Sequence, residues 1–328
     1  MYTKLSDVKL KTDEKMEIGV VLTPDAEYAE QMMDVLNHKG PLWLLHMEEA
    51  LNGDITGLET RFYIGQVNGQ VIANVMTVEY NRTGIVGHVF TRPEHRRKQA
   101  CTLVMTEQME DFRRRGGGVL LLGTGYESPA YWIYHSHGFR NLVEGIGFMR
   151  YATEADFETN HFAPGETKVV DVGWKHWPLM NLLTSVPDIS VLRSVAFHLY
   201  GIGSFTGGFP GFIKDWLKGQ RRKVKILESE SGAVVGCTTI EPYSMWRDKT
   251  HLLDIFVHPH FLSHYEALLN ALELPEGKIQ CYVDARSPGE KIAALQQAGF
   301  KREALIANQF AWNGEWFDVF IYSRFISQ

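Results

Sequence analysis

The densest basic run of the chain, RPEHRRK at residues 92–98, stands directly before an amphipathic stretch, QACTLVMTEQMEDFRR, at residues 99–114. A turn that opens onto a helix presents unpaired backbone N–H groups, and the helix dipole favours an anion there. Arg96, Arg97 and Lys98 add charge suited to phosphate oxygens. Taken alone, such a run reads as a solvated loop. Its position before a helix makes it a candidate seat for a small polyanion. Residues 130–139, AYWIYHSHGF, place Tyr134, His135 and His137 in one short helix. A phenol with a pKa near 10 can offer its proton to a departing thiolate. His88, Glu79, His135 and His137 are candidates for accepting a proton from a nucleophile, and the choice among them stays open.

These groups need elements to position them, and the first half supplies an alternating order. Residues 16–23 read as a strand, and Pro24 with Asp25 opens a helix to about Asn37. Residues 41–51 read as a second helix. Strands at 61–67 and 70–80 meet across Asn68-Gly69, two residues that accept positive φ. A strand at 85–91 leads into the basic turn, and a helix over 99–115 stops at Gly116-Gly117-Gly118. Residues 119–122 form a buried strand, 129–137 a short helix closed by Gly138, and 141–151 the last strand or pair.

The stretch GHVFTRPEHRRKQACTLVM, residues 87–105, resembles the cofactor-binding motif of the GNAT superfamily of N-acetyltransferases. That motif sets a strand, a proline turn and Arg-x-x-Gly-x-Gly/Ala before a long helix. Here the proline is Pro93 and the leading arginine Arg96; the two small positions fall on Gln99 and Cys101. Gln99 departs from the pattern, since glycine there lets a phosphate approach without meeting a Cβ. Residues 130–139 resemble the family's Ala-x-x-x-Tyr-x-x-x-Gly-Phe pattern, with Tyr134 at the tyrosine that assists the leaving thiolate. The resemblance covers residues 16–151. It implies acetyl-CoA as co-substrate, held by Val89, Phe90, Thr91, Arg96, Arg97, Lys98, Gln99, Ala100, Cys101, Thr102 and Tyr134. It also implies direct attack by an amine, with a backbone N–H near Val89 and Phe90 stabilising the tetrahedral intermediate. No acyl-enzyme is required, so Cys101 is not the nucleophile. Tyr134, His88 and Glu79 are the catalytic candidates.

The second half repeats the order. Residues 152–166 read as a polar linker, 167–172 as a strand, and 174–185 and 190–199 as helices. Residues 201–211, GIGSFTGGFPG, read as a loop without a Walker lysine. Strands at 223–228, 233–241, 250–257 and 279–284, helices at 262–272 and 289–297, and strands at 304–312 and 316–324 complete it. LLDIFVHP at residues 252–259 matches the strand and proline, but HFLSH follows where the arginines stood. Leu295 takes the tyrosine position. The fold class expected is α/β (α+β): two tandem GNAT-like domains, each a mixed, mostly antiparallel sheet flanked by helices. The resemblance implies that residues 1–152 form an acetyl-CoA-binding catalytic domain and 167–328 a degenerate one. The second domain is expected to pack on the first, with aromatics of 174–212 either covering the acceptor site or filling core. A non-catalytic acyl-CoA-binding or scaffold protein is the alternative, and a longer acyl donor a further one.

Bulk properties narrow the class. The chain has 328 residues, 45% apolar and 22% charged, which fits two globular domains rather than disorder. A net charge of −6 argues against nucleic-acid binding and leans toward a cationic acceptor. Cys101, Cys237 and Cys281 are too few and too scattered for a disulfide framework or zinc site. His251, His258, His260 and His264 spread over strand, turn and helix, and no metal is expected. The N-terminal residues lack a signal-peptide apolar core, and no run approaches the roughly 20 residues of a membrane helix. A cytoplasmic monomer or homodimer acting on a small-molecule or peptide amine is the expectation.

Overall fold

The structure, a computed structural model, describes residues 1–53, 55–217, 222–246 and 249–327. The chain divides into two compact units. One holds Met1–Phe157 with Trp177–Leu179, the other Glu158–His176 with Met180–Gln328.

The first unit runs β1 (Tyr2–Lys9), β2 (Lys15–Leu22), α1 (Ala26–Leu36), α2 (Pro41–Asn52), β3 (Glu59–Val67), β4 (Gln70–Tyr80), β5 (Thr83–Thr91), α3 (Ala100–Arg114), β6 (Val119–Gly123), α4 (Pro129–Ser136), β7 (Arg140–Asn141) and β8 (Phe148–Ala152). Its eight strands form one mixed sheet in the order β1-β2-β3-β4-β5-β6-β8-β7, with β5 and β6 parallel. The β3–β4 hairpin turns at Asn68 and Gly69, both at positive φ. Asp25 caps α1, its carboxylate accepting from the N–H groups of Glu27 and Tyr28, so Pro24 lies ahead of the cap. Helix α3 buries Val104, Met105, Met109 and Phe112 on the sheet.

Strand β1 goes beyond the sequence reading. Its polar side chains hide an edge strand paired antiparallel to β2, with the Tyr2 ring lying over Gly19. A Cβ at Gly19 would stand 2.3 Å from that ring, so the ring keeps this place only over a glycine.

The second unit contains most of α5 (Phe157–His161), then β9 (Thr167–Asp171), most of α6 (His176–Ser185), β10 (Leu192–Ser194), β11 (Leu199–Tyr200), α7 (Gly208–Leu217), β12 (Lys223–Ser229), β13 (Val234–Pro242) and β14 (Thr250–Val257). α8 (Tyr265–Asn270), β15 (Gly277–Asp284), α9 (Gly289–Gln297), β16 (Lys301–Trp312) and β17 (Glu315–Ile326) complete it. Seven strands form a mixed sheet, β16-β17-β15-β14-β13-β12-β9, and β10-β11 is a separate hairpin.

Three local expectations fail here. Residues 190–199 form a hairpin rather than a helix, because carboxylates of β14 and β15 take their N–H groups. Part of 201–211 enters α7, where Phe209 and Phe212 are buried with Phe205. Residues 152–166 are not a plain solvated linker, since α5 lies within them and Phe157 is buried against Gly118.

Candidate active site

Parallel pairing between β5 and β6 ends at Ile85↔Leu121, while β5 stays paired with β4 up to Thr91. Beyond Ile85 the strands diverge, leaving one backbone edge of β5 free for a ligand. A cavity of about 720 Å³ includes this edge. Val89, Phe90 and Thr91 line it from β5, and Arg96, Arg97, Gln99, Ala100, Cys101 and Thr102 from the turn and the start of α3. Tyr134 faces it from α4.

Every residue of the cofactor set therefore lines one cavity except Lys98. Its ammonium pairs with Glu14 at 3.2 Å, and its carbonyl accepts from the N–H of Lys11. Lys11 lines the cavity instead, together with His95, Pro129, Ala130 and Ile133. Lys11 comes from the turn between β1 and β2, and the polar sequence of β1 gave no sign that this turn reaches the site.

The turn is unusual in its backbone. Gln99 caps α3 at φ 73, and Arg97 has φ 63. Gln99 thus adopts the left-handed conformation that glycine takes without penalty, at a cost of roughly 1 kcal/mol. Its carbonyl accepts from the N–H of Leu103 at 3.0 Å. The first N–H groups of α3 have no partner within the helix and lie at the cavity wall.

Tyr134 is 7% exposed, with its ring against Phe139. Helix α4 is fixed at its start by Ser128, whose hydroxyl accepts from the N–H of Tyr131. Burial, with the nearby Cys101, pushes the Tyr134 phenol up from its ordinary value. It holds its proton at neutral pH. Burial also pushes the Cys101 thiol up to about 11, so it is not a thiolate.

His88 lies just before the cavity wall. It has φ 49 and sits in a bulge, where β5 carries one more residue than β4 between Asn74↔Phe90 and Met76↔Gly87. The buried Asn74 amide donates to the His88 carbonyl at 2.9 Å. The His88 ring meets Trp43 edge-on at 4.8 Å. Burial, then the charges of Lys39 and His38, pushes its pKa down to about 4.

Glu79 is elsewhere. It pairs with Gly84 on β5, whereas the cavity wall lies level with Asn74 and Ala73. Arg115 grips its carboxylate twice, at 2.7 and 3.0 Å, and the Thr77 hydroxyl donates to it at 2.6 Å. Arg115 also pairs with Asp111, which accepts from Tyr63. Glu79 belongs to this buried ion network beside a separate cavity of about 490 Å³. His137 is held by the carbonyl of Ile133 and the hydroxyl of Thr106, and His135 packs on Tyr131 and Trp132. Neither histidine lines the larger cavity.

The strands of the second unit diverge in the same way. Pairing of β14 with β15 ends at Leu253↔Cys281. Here the chain itself bridges the separated ends. Asp254, the next residue of β14, accepts from the Ser194 hydroxyl at 2.5 Å and from the N–H groups of Val195 and Ala196 at 3.1 and 3.0 Å. Asp284 at the end of β15 accepts from the N–H of Leu192 at 2.6 Å. Among the described residues, no three His, Cys, Asp or Glu side chains group to hold a metal ion. The His258 and His260 rings lie 4.8 Å apart, and His260 contacts the Phe162 carbonyl. No helix among the described residues is long and apolar enough to cross a membrane.

No family model and no curated protein matches the sequence. Solved structures resemble part of the fold. An N-acetyltransferase from Staphylococcus aureus Mu50 is 14% identical with a TM-score of 0.37, over 49% of this chain and 98% of that one. A GNAT superfamily phosphinothricin acetyltransferase from Sinorhizobium meliloti, solved with acetyl-CoA, is 19% identical with a TM-score of 0.38, over 48% and 87%. A spermidine N-acetyltransferase from Vibrio cholerae, solved with CoA and spermine, is 15% identical with a TM-score of 0.37, over 48% and 94%. Over about half its length, this chain is similar in structure to solved acetyltransferases, one of them a GNAT superfamily member.

Proposed function

We propose that the first unit is an N-acetyltransferase that takes acetyl-CoA into the cavity between β5, α3 and α4. The observation that carries this reading is the single cavity joining the basic turn, the free edge of β5 and the Tyr134 phenol. The pyrophosphate sits against the first N–H groups of α3, with Arg96 and Arg97 beside it. The pantetheine amides pair with the free edge of β5, as an added strand would. The thioester then reaches the bulge at His88 and Val89.

The neutral acceptor amine attacks the thioester carbonyl carbon; the C–N bond forms, the C–S bond breaks, and the proton shed by the attacking nitrogen passes to the CoA thiolate, which leaves as the thiol. Tyr134, its phenol raised by burial, meets the departing thiolate as a hydrogen-bond donor. The thiolate of a thiol near pKa 8.5 is a weaker base than the phenolate, so the phenol shares its proton more than it gives it up. His88 with a pKa near 4 is a poor acceptor for a proton from an alkylammonium near pKa 10. The amine therefore arrives already neutral. On this reading kcat/KM climbs with pH above 7, following the free-amine fraction, and His88→Gln changes it by less than about tenfold. A plateau beginning near the ordinary histidine pKa, lost in His88→Gln, would restore His88 as the base.

The deciding experiment is calorimetry with acetyl-CoA on the wild type and on Arg96→Ala, Arg97→Ala. Micromolar binding, about 8 kcal/mol, that is lost in the variant supports the reading. Absence of binding at millimolar ligand removes the enzyme and leaves a scaffold.

A further inference from the structure

Strand β4 is buried along almost its whole length, and Asn74 lies inside it at 1% exposure, between Ala73 and Val75 of the core. Asparagine is disfavoured in central strands. Its side-chain oxygen Oδ1 is buried and has no hydrogen-bond partner among the described residues. An orphaned oxygen costs stability, so packing does not account for the residue. The other end of the amide is engaged: Nδ2 donates to the His88 carbonyl at 2.9 Å.

The consequence lies in the peptide that follows. The Arg92 N–H donates to the Ile72 carbonyl across β4 and β5 at 2.8 Å. In an antiparallel pair every second residue turns its backbone groups to the partner, so Phe90 faces β4, opposite Asn74, while Thr91 and Val89 face away. The bulge interrupts this alternation at His88, which has φ 49. A trans peptide sets its C=O and N–H on opposite sides. With the His88 carbonyl held toward β4, the Val89 N–H turns the other way, to the free edge of β5 and the cavity that Val89 lines.

We propose that Asn74 is a positioning residue: by holding the His88 carbonyl, it aims the Val89 N–H at the carbonyl oxygen of the acetyl thioester. Asn74 lies outside the cavity lining and outside the stretch 87–105, and it acts only through the His88–Val89 peptide. When the amine adds, the thioester oxygen takes negative charge, and a donor already in place stabilises it without reorganising. The conformation of His88 makes such a hold necessary, since a residue at positive φ stays there only when its surroundings fix it. The inference rests on the acetyl-transfer reading and names what aims the donor at that site.

The test reads the thioester carbonyl itself and needs no acceptor. Acetyl-CoA carrying carbon-13 at the acetyl carbonyl is bound to the wild type, Asn74→Leu and Asn74→Val. Its C=O stretch is followed by infrared difference spectroscopy, affinity by calorimetry and folding by circular dichroism. In the wild type the band should move to lower frequency than in free acetyl-CoA, because a hydrogen-bond donor weakens the C=O bond. Both variants should lose most of that shift while acetyl-CoA affinity changes by no more than a few fold. Leucine keeps the size of the side chain and valine suits a strand, so the second variant decides where the first fails to fold. A shift that a folded variant keeps overturns the proposal, as does a wild-type band at the frequency of the free ligand. Loss of affinity in step with loss of the shift makes Asn74 a packing residue and overturns it as well. Failure of acetyl-CoA to bind the wild type overturns the acetyl-transfer reading itself, and the role of Asn74 falls with it.

Discussion

In each unit a pair of parallel strands diverges next to a proline turn, but the resulting gaps are treated in opposite ways. In the first unit, β5 keeps a free edge beyond Ile85, and a cavity of about 720 Å³ lies against it. In the second, residues 192–196 bridge β14 and β15 through Asp254 and Asp284. The divergence of strands belongs to the scaffold; what stands in it decides whether a ligand can enter. Arginines and unpaired N–H groups leave one gap suited to an anion. In the other, Asp254 and Asp284 bind the chain's own amides instead.

The largest effect is expected from removing that internal bridge. Asp254→Ala strips the acceptor from two backbone N–H groups and a hydroxyl, and should destabilise the second unit by about 3 kcal/mol or more in denaturant unfolding. The stoichiometry of acetyl-CoA should stay at one per chain; a second equivalent bound by this variant would show that the bridge alone closes the gap. Next, Arg96→Ala with Arg97→Ala should weaken acetyl-CoA binding about a hundredfold by calorimetry. A loss of only a few fold would move the phosphates off the turn and blunt the contrast between the units. Tyr134→Phe should lower kcat about tenfold with acetyl-CoA affinity nearly unchanged, whereas an unchanged kcat would reduce Tyr134 to a packing residue. The smallest effect is Gln99→Gly, which removes the left-handed penalty. It should raise the unfolding free energy of the first unit by about 0.5–1 kcal/mol and tighten acetyl-CoA a few fold. Loss of stability in Gln99→Gly would mean that the glutamine side chain holds the turn.

Local signals carried much of the sequence reading. The Asn68-Gly69 hairpin, the span of α9 and the placement of the turn before α3 all follow from residues close in sequence. The misses are long-range. Glu79 looked like a free carboxylate at a strand end, but Arg115, 36 residues later, claims it. Lys98 looked like a phosphate ligand, but Glu14 of the β1–β2 turn claims it. The stretch 190–199 has helical composition, and only the carboxylates of two distant strands make it a hairpin. These three turn on a charged group whose partner lies far along the chain, where periodicity and turn chemistry say nothing.

The bridge across the second gap has a further consequence in terms of concentration. Residues 192–196 are tethered to the strands they join, so they face the gap at an effective concentration of order millimolar, whatever the protein concentration. A free ligand of micromolar affinity must outcompete an occupant that cannot diffuse away. Dilution and dialysis leave such an occupant in place. The second gap therefore remains closed over any ordinary range of ligand concentration, and titrations of the whole chain should follow a simple one-site hyperbola.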